Sequence, residues 1–231
     1  MAVIGATGRT GSLLVKSLLA QGTQVKALVR SVDKAKTVLP TDSPSLSLIQ
    51  GNLSNEEDVG RLVQGCSDVV VTTGALSILG LSNQSNSPQI VDYEGMLVLL
   101  KAAGDSSLRI ILVSTLGITR VWSRPISFLL EFLGGGVMWW KEKAETALRQ
   151  SGHPYIIVRP GVLGSNGVSR LDNLCIGQGD KISGCIDRAT LADLITLMIL
   201  KPLVIDKCTF EVAECSETGN LESKLQTLAS D

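Results

Sequence analysis

Three glycines in the run Gly5-Ala-Thr-Gly-Arg-Thr-Gly11 stand directly after a short apolar stretch, residues 2–4, and open a segment with helical spacing. Glycine adopts either sign of φ and lets a backbone approach a ligand closely. In the order strand, glycine turn, helix, the first glycine permits the tight turn, the second lets the backbone reach a diphosphate, and the third lets the helix pack near the strand. Free N–H groups at the helix start then face the anion, with the helix dipole behind them. The turn reads as a dinucleotide site, with Gly5, Thr7, Gly8, Arg9, Thr10 and Gly11 as its cofactor-binding residues. A purely structural glycine turn is the alternative.

The end of the second apolar run bears on which dinucleotide fits. A site for NAD would usually place Asp or Glu there, about 20 residues after the glycines, to bond the ribose 2′-hydroxyl. This chain has Arg30, with no acid in residues 27–32. A guanidinium fork suits a 2′-phosphate, so NADP is expected over NAD. Arg9, inside the glycine turn, and Lys34 would add to the same pocket, with a solvated surface position as the alternative for each.

These residues need a scaffold, and the rest of the chain supplies one. Short β-rich runs at residues 2–4, 24–30, 46–50, 68–72, 109–114 and 155–159 alternate with helical stretches, the pattern of a parallel sheet with helices on both faces. Gly11, Leu14, Val15 and Leu18 make one apolar stripe, and Leu191, Leu194, Ile195 and Met198 another. Gly22, Gly65 and Gly104 are placed as helix stops. Residues 81–89 and 161–184 read as irregular loops, and Leu221, Leu225 and Leu228 as the inner face of a short terminal helix, with a frayed end as the alternative. No linker or repeat divides the 231 residues, so one domain is expected.

Composition excludes other classes. With 21 basic and 22 acidic side chains, the chain is too evenly charged for a dedicated nucleic-acid binder. No apolar run reaches the ~20 residues a spanning helix needs. The start runs straight into glycine without a basic region, which does not fit a signal peptide. Five widely spaced cysteines (Cys66, Cys175, Cys185, Cys208, Cys215) fit neither a disulfide framework nor a zinc cage, so a reducing compartment is expected, with no metal.

Several motifs in the same order as the elements resemble the atypical short-chain dehydrogenase/reductase superfamily, in its NmrA-like NAD(P)-binding branch, including plant and algal plastid-type members. Val-Lys-Ala-Leu-Val-Arg-Ser at residues 25–31 is similar to its second strand, Gly51-Asn-Leu53 to its adenine-side turn, and Thr72-Thr-Gly-Ala75 to the turn beside the cofactor. Asp92-Tyr-Glu-Gly95 resembles its fourth helix and residues 112–117 the end of its fifth strand. Residues 140–148 and Tyr-Ile-Ile-Val-Arg-Pro-Gly at 155–161 resemble the helix and strand of the nicotinamide half. The resemblance implies a single-domain, Rossmann-like, doubly wound α/β fold. It implies cofactor contacts from Asn52, Leu53, Thr73, Gly74, Ser114, Lys143 and Pro160, and a plastid stromal location or stromal membrane face, with cytoplasm as the alternative.

Two departures matter. Asn52 stands where the family usually has aspartate. In reductases of the superfamily a Tyr-x-x-x-Lys pair moves the proton; with its lysine aligned on Lys143, Trp139 stands in the tyrosine's place. An indole N–H donates a hydrogen bond but does not titrate near neutrality, so it cannot relay a proton. Ser114, or its neighbour Thr115, and Lys143 are left as the catalytic candidates, each with a plain alternative as a strand-end cap or a solvated helix residue. Tyr93 is a weaker substitute acid, while Tyr155, the single His153 and Arg159 read as structural. Hydride transfer needs mainly positioning, so an acceptor that takes its proton from water, flavin-like or quinone-like, remains open.

Five of the eight aromatics, Trp122, Phe128, Phe132, Trp139 and Trp140, fall within residues 122–140. Part of that segment must be core, and the rest would line a pocket or dock a protein or membrane surface. Two functions are therefore carried forward: an NADPH-dependent oxidoreductase of a small planar acceptor, and a non-catalytic NADP-binding subunit that docks through residues 122–140.

Overall fold

The computed structural model describes residues 1–74, 86–119, 136–201, 206–216 and 219–231. The sheet begins with β1 (Ala2–Ile4), whose three side chains are all buried. Val3 faces one apolar layer, while Ala2 and Ile4 face the other. Burial on both faces explains why the strands read as continuous apolar runs rather than alternating ones. The glycine turn leads into α1 (Arg9–Ala20), which buries Leu14, Val15 and Leu18 as its spacing predicted. Next come β2 (Val25–Val29), α2 (Val32–Val38), β3 (Leu46–Gln50), α3 (Glu56–Val63) and β4 (Asp68–Val71). Ser31 and Asn55 cap α2 and α3, their side chains accepting from the N–H groups of Lys34 and Asp58.

A π-helical turn, Gln89–Glu94, runs into α4 (Gly95–Ala103), followed by β5 (Arg109–Val113), α5 (Val137–Gln150) and β6 (Tyr155–Pro160). The last part holds β7 (Val162–Gly164), β8 (Leu174–Gly177), β9 (Cys185–Asp187), α6 (Arg188–Leu200), β10 (Cys208–Glu214) and α7 (Leu221–Gln226). The main sheet has the order β3-β2-β1-β4-β5-β6-β10-β8, parallel throughout except for β8, which is antiparallel to β10. β7 and β9 form a separate parallel pair. The order reverses between β1 and β4, and the crevice beyond their carboxyl ends is where sheets of this kind bind ligands. Helices α1 and α6 pack together on one face, and α3, α4 and α5 cover the other.

The six expected strands are present within a residue or two. Three expectations need correction. β10 was not anticipated, although all but its last residue is buried. Glu211, fully buried at its centre, interrupts the apolar pattern. Residues 161–184 hold two strands and part of the sheet rather than a bare loop. Cys175 and Cys215 are disulfide-bonded. The antiparallel register sets Leu174 beside Glu214 and Cys175 beside Ala213, so two cysteines 40 residues apart in sequence meet at the sheet edge.

Gly22, Gly65 and Gly104 have positive φ beyond their helices. Leu221, Leu225 and Leu228 are buried, so the terminal helix packs. Among the described residues no helix is long and apolar enough to cross a membrane.

Candidate functional site

A cleft of about 740 Å³ opens over the carboxyl ends of β1, β2, β4 and β5. Its floor is the glycine turn. Gly5 has φ +84°, and the Gly8 N–H donates to the Gly5 carbonyl at 2.9 Å. A Cβ on Gly11 would lie 2.2 Å from the Gly5 oxygen, and one on Gly5 would lie 2.8 Å from the Thr72 hydroxyl. The turn therefore admits no side chain at either position. Thr72 fastens the ends of β4 and β1 together, its hydroxyl and its N–H both donating to the Ile4 carbonyl at 2.9 and 3.0 Å. The α1 N-terminus has no side-chain cap and no acid in its first turn, so the N–H groups it presents are not spent on the protein's own side chains.

Gly5, Thr7, Gly8, Arg9 and Thr10 line this floor. Gly11 lies behind it as the packing contact. At one end Arg30 and Lys34 line the cleft, and the Arg30 guanidinium donates to Asn86 Oδ1 at 2.6 Å. Asn52 and Leu53 form the wall below. Asn52 Oδ1 accepts from the Ser54 N–H at 3.1 Å, and the Asn52 N–H donates to Asp58 Oδ2 at 2.9 Å. That bond, with the Arg61 guanidinium, holds the Asp58 carboxyl below its usual range. Leu53 packs so close to Gly95 that a Cβ there would meet it at 2.5 Å.

At the other end stand Thr73, Gly74, Ser114, Thr115 and a lysine. That lysine is Lys141, not Lys143. Lys141 Nζ lies 2.9 Å from Asp92 Oδ1, with both side chains nearly buried, and 3.9 Å from the place of a Gly74 Cβ. Lys143, two residues on and therefore about 200° around the helix, sits over the rings of Trp139 and Trp140 at 4.0 and 5.0 Å. The phase was readable: Ala144, Glu145 and Leu148 are the inward stripe of α5, and Lys141 lies three, four and seven residues before them. Ser114 is buried, and its hydroxyl oxygen has no hydrogen-bond partner among the described residues although the residue lines the cleft.

Pro160 is placed elsewhere. It is buried in β6 and paired with Val212, outside the cleft lining. Arg159 does not reach the cleft either; it forks onto Glu145 at 3.1 and 2.6 Å. The Tyr155 hydroxyl donates to Asp231 at 3.0 Å, and burial with that carboxylate pushes it up to about 12. Tyr93 stacks on Trp140 with centroids 5.7 Å apart. Trp122, Phe128 and Phe132 lie outside the described residues, so of the aromatic segment only Trp139 and Trp140 are placed. Sequence reasoning also missed Asp92, Asn86, Leu163 and Arg188. Arg188 carried a readable signal: it follows the capping Asp187 at the first position of α6, where the helix dipole disfavours a cation.

The family described as NAD(P)H-binding matches residues 5–202. The chain belongs to that NAD(P)H-binding family. Among its relatives, Protein TIC 62, chloroplastic, of Pisum sativum is 30% identical over 220 residues, covering 87% of this chain and 40% of that protein. This NAD(P)H-binding chain thus spans about two fifths of that relative's length. An oxidoreductase from Lactococcus lactis superposes with a TM-score of 0.77 at 20% identity, covering 98% of this chain and 96% of the other. A short-chain dehydrogenase/reductase from Veillonella parvula in complex with NADP has a TM-score of 0.70 at 19% identity, covering 94% and 95%. Both structures match in fold.

Proposed function

We propose that the cleft binds NADP(H) and that the chain reduces a small planar acceptor, flavin-like or quinone-like, which takes its proton from solvent. One observation carries this reading. Arg9, Arg30, Lys34, Lys141 and Arg188 line the cleft, and no carboxylate does among its described residues, in a chain whose net charge is −1. Phosphates are the natural counter-ions for such a lining. The α1 N–H groups and Arg9 would hold the diphosphate, Arg30 and Lys34 the 2′-phosphate, Asn52 and Leu53 the adenine. Asn86 already orients the Arg30 fork. The absence of an acid beside Arg30 favours NADP over NAD.

A bound nicotinamide dinucleotide supplies the hydride. Ser114 offers a buried, unpartnered hydroxyl as a donor toward the acceptor, and Asp92 keeps the Lys141 ammonium at the Gly74 turn, where it would hold the nicotinamide ribose. The missing phenol survives the change of lysine. Four residues before Lys141 stands Val137, as Trp139 stands before Lys143, and no tyrosine is among the described lining. That supports an acceptor whose protonation needs no side-chain acid.

A second reading, a docking subunit that binds NADP without turnover, is supported by the exposed ring of Trp139 beside Trp140 and Tyr93. In either case the chloroplast-named relatives support a plastid location. The test is NADPH consumption followed at its absorbance maximum with FMN and a short-chain quinone. Turnover with either supports the reductase. Saturable NADPH binding without turnover on a broad panel of planar acceptors rejects it in favour of the docking subunit.

A further inference from the structure

Arg188 is the least expected cation in the cleft. It lines the same cavity as Arg9 and is 8% exposed. Its Nη1 donates to the carbonyls of Leu163 and Gly164 at 3.0 and 2.6 Å and to the Ser165 hydroxyl at 2.5 Å. Those three bonds fix the plane of the fork, yet Nε and Nη2 have no partner among the described residues. The adjacent carboxylate is already engaged. Asp187 Oδ1 accepts from the Ala189 N–H at 2.9 Å, while Oδ2 accepts from the N–H groups of Asn166 and Gly167. No carboxylate of the described residues lies in salt-bridge range of Arg188.

Three costs thus fall on one side chain: burial, the positive end of α6, and a second guanidinium lining the same cavity. Burial first, then the charge of Arg9, pull the Arg188 proton affinity down. Such an arrangement persists where an anion offsets it.

We propose that Arg188 and Arg9 form a second oxyanion subsite, separate from the Arg30 end, that grips a phosphate or carboxylate from the α6 side of the cleft. Nη1 anchors the fork, and the free edge of the guanidinium, Nε and Nη2, offers the two parallel donors that such an oxyanion accepts. Arg9, exposed at the start of the neighbouring helix α1, adds a second guanidinium at the same end of the cleft. The proposal rests on the reading of the cleft as a dinucleotide site. The oxyanion has two sources: the diphosphate of the dinucleotide, or an acidic group on the acceptor.

Calorimetry on Arg188→Gln separates them, with NADPH, 2′,5′-ADP, and the matched pair FMN and riboflavin as probes. A tenfold or greater loss for NADPH with less than twofold loss for 2′,5′-ADP, which lacks the diphosphate bridge, supports the subsite and assigns it to the dinucleotide. Unchanged NADPH affinity with a tenfold loss of preference for FMN over riboflavin, in the presence of saturating NADPH, supports the subsite and assigns it to the acceptor.

No change in either overturns it. So does an equal loss of all ligands reproduced by Ser165→Ala, which removes one anchor of the fork and leaves the charge, because the role of Arg188 is then to tether the loop. Arg9→Gln, at an exposed position that folding does not need, is expected to weaken the same probe about threefold or more, and no effect there overturns the pairing. If the wild-type chain binds neither NADPH nor 2′,5′-ADP, the dinucleotide reading falls and takes the subsite with it.

Discussion

Two regions of this molecule gather cations, and they treat them in opposite ways. Behind β6, Arg159 is buried and forks onto Glu145, which is fully buried on α5; Glu211 of β10 lies 4.0 Å from its other arm, and Arg149 closes on Glu145 at 3.0 Å. Every cation there has its carboxylate built into the fold. In the cleft, Arg9, Arg30, Lys34 and Arg188 have no salt-bridge partner among the described residues, and Lys141 alone has one, Asp92. The first region is neutralised from within and joins α5 to the sheet. The second is left for anions that arrive from outside. The difference teaches that residue type alone does not separate the two regions: four of the five cleft cations lack an internal carboxylate, and Lys141, which has one, is held by it at the Gly74 turn.

The contrast can be broken most violently at the structural end. Glu145→Ala strands the Arg159 guanidinium, and removing one member of a buried pair costs roughly 3–5 kcal/mol. Urea denaturation should show that loss, with NADPH affinity little changed at saturation of the folded fraction; a change below about 1 kcal/mol would mean that water reaches Arg159.

At the functional end, Arg30→Asp should barely alter stability and should weaken NADPH about 10- to 100-fold, ~1.4–2.7 kcal/mol, while leaving NADH within a few fold. Equal losses would show that Arg30 does not face a 2′-phosphate. The paired lysines of α5 sharpen the comparison further. Lys141→Met is expected to weaken the dinucleotide about tenfold, ~1.4 kcal/mol, and Lys143→Met less than twofold, each measured by quenching of protein fluorescence. The reverse order would restore Lys143 to the site.

The smallest effect is a slope. Burial pushes the Asp180 carboxyl up, but the Thr119 hydroxyl, the Gly117 N–H and the Arg159 charge together hold it below its ordinary range. A depressed folded value means that its contribution is fully present above the ordinary carboxylate range and is lost as pH falls through that range to the folded value. Asp180→Asn should therefore flatten the acid limb of the stability curve; an unchanged limb would mean that this carboxylate is as easily protonated folded as unfolded.

Much of this was legible beforehand, and the reasons for the gaps are physical. The glycine turn and Arg30 could be read because local chemistry forces them: a missing Cβ at Gly11, a charge at a strand end. Strands buried on both faces announced themselves as apolar runs. β10 did not, because Glu211 breaks its pattern and its justification, Arg159, lies 52 residues away in sequence. The Cys175–Cys215 bond was hidden for the same reason, being set by antiparallel register at the sheet edge. Aligning a motif points to Lys143; the helix phase, set by Ala144, Glu145 and Leu148, points instead to Lys141, the lysine that lines the cleft. Arg188 was visible as a cation misplaced at a helix start, as Arg9 is at the start of α1, but their meeting in one cleft is set by the packing of α1 against α6.

The most direct test of the central claim, that the unpaired cations of the cleft await nucleotide phosphates, is a calorimetric titration of the wild-type chain with NADPH and NADH at the same ionic strength. NADPH should bind at least about tenfold more tightly, ~1.4 kcal/mol, with the gap narrowing as salt is raised. Equal affinities, or no heat from either nucleotide, would contradict it.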